Sequence, residues 1–305
     1  MQVNYLPYAK RAPDFQYLGL LKQLMRDGIR SETQQSSKKD GAGKETFSLP
    51  YPVTHVYDLR NGFPWETGRS MKSGFIAVNE LFAFVNGVRS NDVLVREWGV
   101  PFWNSTFEDP EKCRKRGLAP GDLGPASYAV LGKFPTKDGS FNQMQALVEQ
   151  IRELPHLKTH IATTLYPPGI FRGTGKVQKV VTVPCHGTII YVTVLERKMN
   201  LTMVQRSADV LVGEPHDRVA YPALLLALAH VTGYEPGIFS VVYLNPHFYE
   251  NQRAHLEEFV ARKPVAYPTV TLANPPDDIF AFRRGHFELA DYHPHPAMPG
   301  IPVSP

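Results

Sequence analysis

The stretch from Val177 to Gly233 constrains the fold more than any other part of the chain. Val177–Val194 and Leu201–Val210 are rich in β-branched residues and flank the turn ERKMN, the pattern of two strands. YPALLLALAHVTG follows as a helix that is apolar almost all round and stops at Gly233. A helix without a polar face has to be enclosed by other elements, so strands and helices must pack together here. Three more helices are predicted: one over FQYLGLLKQLMRDGI, with a stripe of Phe15, Leu18, Leu21, Leu24 and Met25, one over SGFIAVNELFAFVNG, ending near Gly87, and one over NQMQALVEQIREL. HIATTLYPP, IFSVVYLNP, AYPTVTLA and the region of IFAFRRGHFEL read as short strands, and Arg89–Pro125 as irregular. Residues 31–48 are polar and read as a mobile loop. With no internal repeat and no break in composition, the expectation is one α+β domain over residues 1–305.

The composition, 43% hydrophobic and 20% charged, is that of a soluble globular protein. No apolar run approaches the roughly 20 residues of a membrane span. MQVNYLPYAKRAPDF lacks the apolar core of a secretory signal, so a cytoplasmic location and no membrane partner are expected. The net charge of +4 is dispersed and interleaved with acids, and no nucleic-acid module is visible. Cys113 and Cys185 are too few for a disulfide framework, and Cys113 lies in EDPEKCRKRGLAPGD, which reads as an exposed loop. His293 and His295, separated by a proline and without a third ligand, do not make a metal site, so no metal is expected.

Chemistry concentrates in three places. In VVTVPCHGTIIYVTV, Pro184 cannot donate to a ladder and suggests a bulge that aims Cys185 out of a sheet. Cys185 by itself could be only a small buried hydrophobe, but His186 and nearby arginines could favour its thiolate. In QRSADVLVGEPHDRVAY, Arg206 and Ser207 at a strand end suit a phosphate, the alternative for Arg206 being an ion pair with Asp209. In NPHFYE, His247 and Tyr249 share one face of an extended chain and could reach one hydroxyl-bearing ligand.

In this order ELFAFVNG, Trp103-Asn104, GDLGP, PCH, QRSAD, the segment of Gly213, Pro215, Asp217, Ala220 and Tyr221, the His247–Tyr249 pair and YHPHP resemble thymidylate synthase and its relatives, the pyrimidine nucleotide hydroxymethylases. The resemblance covers most of the chain beyond about residue 70 and, more weakly, the N-terminal helix and loop. It implies a three-layer α+β fold with a mixed β-sheet forming a homodimer interface, and 5,10-methylenetetrahydrofolate as co-substrate. It makes Cys185 the nucleophile at C6 of the pyrimidine, Glu80 the organiser of water and proton transfers, Trp103 and Asn104 the folate-side wall, and Tyr128 the tyrosine after GDLGP. It places Arg30, Arg206 and Ser207 at the phosphate, beside Asp209, and His247 and Tyr249 at the sugar 3′-hydroxyl.

Departures from the family pattern bear on the substrate. Where thymidylate synthase has the asparagine that reads uracil, this chain has Asp217. Cytosine offers an N3 lone pair and an N4 donor, and a carboxyl that shares a proton with N3 satisfies both. Two arginines from the partner subunit are replaced by Lys158 and Thr159, and Lys133 lies where the usual GPVYGxxWR continues differently. Together these resemble the cytidylate hydroxymethylases, including those of nucleoside-antibiotic pathways. They imply a CMP or dCMP 5-hydroxymethyltransferase, with CMP favoured. A C5-methyltransferase, and a silent nucleotide- or RNA-binding homologue, are the alternatives.

Overall fold

The computed structural model describes residues 3–32 and 45–303. Helix α1 (Phe15–Asp27) starts where the Asp14 carboxylate caps the amide of Tyr17. It leads into a β1–β2 pair, β1 (Ile29–Glu32) and β2 (Glu45–Ser48), followed by β3 (Val53–Asp58). Thus the margins of the expected mobile loop are paired strands, Arg30 opposite Phe47, and the remainder of that loop, residues 33–44, lies outside the described residues. Helix α2 (Gly74–Val85) follows, then α3 (Asn91–Trp98) and the one-turn α4 (Glu111–Arg114). Arg89–Pro125, expected to be irregular, contains α3 with its Ser90 cap and left-handed Gly99 stop; the short apolar stripe, Leu94 and Trp98, is hidden among tryptophans and prolines. Cys113 in α4 is buried rather than exposed, and both cysteines are free.

A small hairpin, β4 (Phe134–Thr136) and β5 (Gly139–Phe141), precedes α5 (Gln143–Glu153). The edge strand β6 (Ile161–Ala162) and the short α6 (Pro167–Ile170) come next. The strand expected from Val177 begins only at Ile189: β7 (Ile189–Leu195) turns through Glu196 and Arg197, both with positive φ, into β8 (Lys198–Gln205). The expected Leu201–Val210 strand breaks at Arg206 and Ser207 before the short β9 (Ala208–Asp209). Helix α7 (Gly213–Thr232) includes Asp217 and ends at left-handed Gly233, and β10 (Glu235–Tyr243), β11 (Pro246–Tyr249), α8 (Arg253–Ala261), β12 (Thr269–Leu272) and β13 (Phe287–Ala290) complete the chain.

Two sheets position the site. The larger is mixed, in the order β3-β10-β8-β7-β6, with β10 parallel to β8 and the other neighbours antiparallel. Its inner face carries His55, Tyr57, Phe239, Val241, Tyr243, Leu201, Met203, Ile190 and Val192, all buried. Helix α7 packs against β8 and β10, and α2 packs on α7, so α7 is enclosed and Val219, Tyr221, Leu224, Leu225, Ala227 and Leu228 have no accessible surface. The outer face presents Val56, Ser240, Thr202, Tyr191 and Ile161 in one register row and Thr54, Val242, Val204 and Ile189 in the next. Gln16 lies along the free edge of β3, its amide donating to the Val56 carbonyl and accepting from the Val56 N–H, both at 2.9 Å. The smaller sheet runs β1-β2-β11-β9, and its central strands bring Phe47 and Phe248 into a stack.

Candidate active site

Cys185 lies on no strand. The segment from Val177 to Thr188 is irregular, and side chains take the place of a ladder. The Cys185 N–H donates to the Tyr128 hydroxyl at 2.7 Å, and its carbonyl accepts from the Ser207 N–H at 3.2 Å. Arg206 donates to the carbonyls of Pro184 and Val183 at 3.1 and 3.2 Å, and the His186 carbonyl accepts from the Thr164 hydroxyl at 2.8 Å. A segment that holds a proline satisfies its backbone in this way without a neighbouring strand. Gly187 has φ 65°, and a Cβ there would come within 2.1 Å of the Tyr221 hydroxyl, so only glycine lets that tyrosine reach the loop.

Among the described residues the half-buried thiol has one cation in contact, the Arg206 guanidinium, whose Nη2 is 3.6 Å from Sγ. Burial pushes the Cys185 thiol up and Arg206 opposes this, while the Asp217 carboxyl adds to the rise. His186, expected to help form the thiolate, does not supply charge: burial lowers it to about 3, leaving the imidazole neutral. It stacks on Tyr128 at 4.3 Å and its Nδ1 meets the Tyr221 hydroxyl at 2.8 Å. Arg206, in turn, is not spent on Asp209, whose oxygens accept instead from the amides of Leu211 and Val212 and from Gln252.

Two carboxyls reach this group from two helices. Asp217, in the second turn of α7, is buried; its Oδ2 accepts from the Gln205 amide at 2.7 Å and its Oδ1 lies 3.3 Å from His186 Nε2. Burial, then the charges of Glu80 and Glu214, holds it well above the usual carboxylate range, with Gln205 pulling the other way. Glu80, on α2, accepts from Trp103 Nε1 at 2.7 Å, and burial raises it to about 7 despite that bond. Tyr128 packs between these residues, stacked on Phe84 of α2 at 4.9 Å and edge-on to Trp103 at 6.2 Å. Phe102, 37% exposed, continues the Trp103 side.

Strand alternation accounts for the polar rim. His247 and Tyr249 are two apart on β11 with ring centroids 5.3 Å apart, and His247 is in register with Asp209 on β9. His247 Nδ1 faces the Asn245 carbonyl at 3.1 Å; burial lowers its pKa and the nearby Asp209 charge opposes this. Ser207 sits between Arg206 and β9, half-buried. Arg30 shares the sheet but lies on its outer strand β1, paired with Glu45 and exposed, apart from Arg206. Asn104 is exposed and accepts from Asn91 at 3.1 Å. Lys133 is exposed with its stem packed where a Gly87 side chain would be, and Lys158 is exposed just before β6; neither is brought to Cys185 by a contact of this chain.

Gln205, Tyr221 and Gln252 join the site without a role expected from sequence. The first two carried a signal, since Gln205 begins the QRS block and Tyr221 lies one helical turn after Asp217. Gln252 carried none: the fold alone places it, with no accessible surface, between Asp209, the Tyr249 N–H and the Pro302 carbonyl. Among the described residues no group of three or more His, Cys, Asp and Glu is placed to hold a metal, and no helix is long and apolar enough to cross a membrane. The family model described as thymidylate synthase matches residues 15–303.

Proposed function

The chain belongs to the thymidylate synthase family of folate-dependent one-carbon transferases that act at C5 of a pyrimidine nucleotide, and from that premise we propose that it is a cytidylate 5-hydroxymethyltransferase with CMP as substrate. The observation that carries this reading is Asp217: buried, held above the carboxylate range and pinned by Gln205 and His186. A carboxyl in that state donates to the N3 lone pair of cytosine while accepting from N4. Passing its proton to N3 also stabilises the electron-rich base made when a thiolate adds to C6.

In this reading Cys185 Sγ bonds to C6 and the C5–C6 π electrons move to C5, which takes up the one-carbon unit. The wall of Phe102, Trp103 and Glu80 fits a flat heteroaromatic co-substrate, because Phe102 is exposed beside the half-buried indole. Bound there, methylenetetrahydrofolate supplies that carbon. Glu80, raised to about 7, accepts the departing C5 proton through water, and the electrons of that C–H bond form the exocyclic C=C as the C–N bond to folate breaks and tetrahydrofolate leaves with its electron pair. Water then adds to the exocyclic carbon, its proton passing to the same relay, and the C6–S bond breaks to return the thiolate. Arg206 and Ser207 bind the 5′-phosphate, with Arg30 joining from β1 and Asp209 bracing the loop. His247 and Tyr249 hold the sugar hydroxyl, Lys133 approaches from the sugar side, and Asn104 lines the folate side. The outer face of the large sheet, with Val56, Ile161 and Ile189 exposed on it, pairs two copies, and Lys158 of each reaches the other's phosphate.

The test is turnover of CMP, dCMP, UMP and dUMP with methylenetetrahydrofolate, read as tritium release from C5 and as product mass. CMP should give the 5-hydroxymethyl product. A 5-methyl product identifies a methyltransferase, and no release from any nucleotide identifies a silent homologue. Asp217→Asn should move preference toward uracil, and an unchanged preference would refute the shared-proton account.

A further inference from the structure

Beneath Asp217 lies a second charged group that the chemistry above does not use. Arg218, the next residue of α7, has 1% of its side chain accessible and meets three carboxylates from three segments. Asp14, the cap of α1, bonds to Nη1; Glu66, on the loop before α2, bonds to Nη2 at 2.8 Å; Glu214, one turn earlier on α7, pairs with Nε at 3.0 Å. Tyr17 lies under the guanidinium at 4.3 Å, and the Tyr243 hydroxyl donates to Glu214 Oε1 at 2.5 Å. Glu214 has no accessible surface, and its Oε2 has no hydrogen-bond partner among the described residues. Three carboxylates against one guanidinium leave an acidic surplus in the interior, three residues before Asp217 on the same helix. A buried charge surplus is costly, and an ion cluster kept only for stability needs no unmatched carboxylate.

We propose that Glu214 is a positioning residue for base recognition: its charge, left uncancelled by Arg218, keeps the shared proton on the Asp217–base pair as the solution becomes alkaline. This rests on the reading that Asp217 pairs with the base. The groups facing Asp217 are Glu80 from α2, Tyr128 from the turn after GDLGP, Glu214 and Tyr221 from α7, Gln205 from β8, and Cys185 and neutral His186 from the loop. Those facing Glu214 are Arg218 on its own helix, Tyr57 from β3, Tyr243 from β10, Glu66 from the loop, and Asp14 and Tyr17 from the α1 end, and Arg69 also faces Tyr17. Burial raises Glu214 to about 7 against the pull of Arg218, so Glu214 ionises first and thereby makes ionisation of Asp217 harder.

The experiment is the pH profile of kcat/KM for CMP in wild type, Glu214→Gln, Glu66→Gln and Asp217→Asn. Glutamine keeps an acceptor for Tyr243 and Arg218 while removing the charge. The alkaline limb should move down by about one pH unit in Glu214→Gln, an about tenfold loss on the alkaline side with little change at acid pH. Glu66→Gln should shift it the same way by less, and Asp217→Asn should abolish it. A purely structural role would lower activity at every pH and leave the limb in place, and that result overturns the inference. If wild type turns over UMP instead of CMP, the cytidylate reading fails, yet the limb measured with UMP still tests Glu214. Should neither charge variant fold, the infrared carboxyl band lost in Asp217→Asn decides: an ionised Asp217 in wild type at neutral pH overturns the inference.

Discussion

At the scale of single residues, the candidate site is marked by withheld charge. The thiol, His186 and Asp217 are all held toward their uncharged forms by burial, and Arg206 is the cation in contact with Sγ. Glu80, the carboxyl on the Trp103 side, is poised at neutrality, raised to about 7. If it accepts the C5 proton, kcat should rise with pH through about 7, and Glu80→Gln should lose that inflection together with about 10²–10⁴ of the rate. The same residue has a stability consequence of opposite sense. Its folded pKa is raised, so stability is full below the unfolded carboxylate value and is lost as pH rises toward about 7. Chemical denaturation above neutral pH should therefore find Glu80→Gln more stable than wild type, by at most about 3 kcal/mol. Most of these residues were legible from QRSAD, PCH and ELFAFVNG. Their protonation was not, because desolvation depends on what the fold places around a side chain. His186 shows this: beside a cysteine in sequence it suggests a cation, but enclosed by Tyr128 and Tyr221 it cannot be one.

Among the elements, periodicity revealed what was long and one-sided or wholly apolar, and missed what was held by side chains. Helices α1, α2, α5 and the body of α7 follow from their stripes, as does the β7–β8 hairpin from its turn. The residues before Ile189 looked like strand because Val177, Val180, Val181 and Val183 are β-branched, but Val180 and Val181 are buried against a loop, with the Val181 N–H on the Leu123 carbonyl. Pro184 therefore interrupts no ladder; it sits in a support made by Arg206, Tyr128 and Thr164. Two glycines separate local strain from site assembly. Gly233→Ala meets open space at a left-handed helix end and should cost about 1 kcal/mol with activity intact. Gly187→Ala has similar strain but drives a methyl into the Tyr221 hydroxyl, so it should cost more stability and cut kcat steeply, which thermal melts and turnover measured side by side will separate.

For the whole molecule, the proposed two-fold pairing predicts shared sites. Cys185→Ser and Lys158→Ala are each expected to be poorly active, and mixing the two under exchange should restore roughly a quarter of wild-type turnover, since half the dimers are mixed and each has one complete site. Absence of recovery would place Lys158 outside the neighbour's site. Thr202→Lys, in the middle of the outer sheet face, should give monomers by light scattering. The resemblance implied this face, but the rows of Val56, Ser240, Thr202 and Tyr191 become visible only with the register. The Gln16 amide on Val56 bears on the same sheet. It occupies the N–H and C=O of Val56, at the middle of the edge an incoming strand would need, and the opposite margin, β6, is only two residues long. A sheet blocked at the middle of one edge and cut short at the other is better placed to be covered than extended, which sets one glutamine against growth into a fibre.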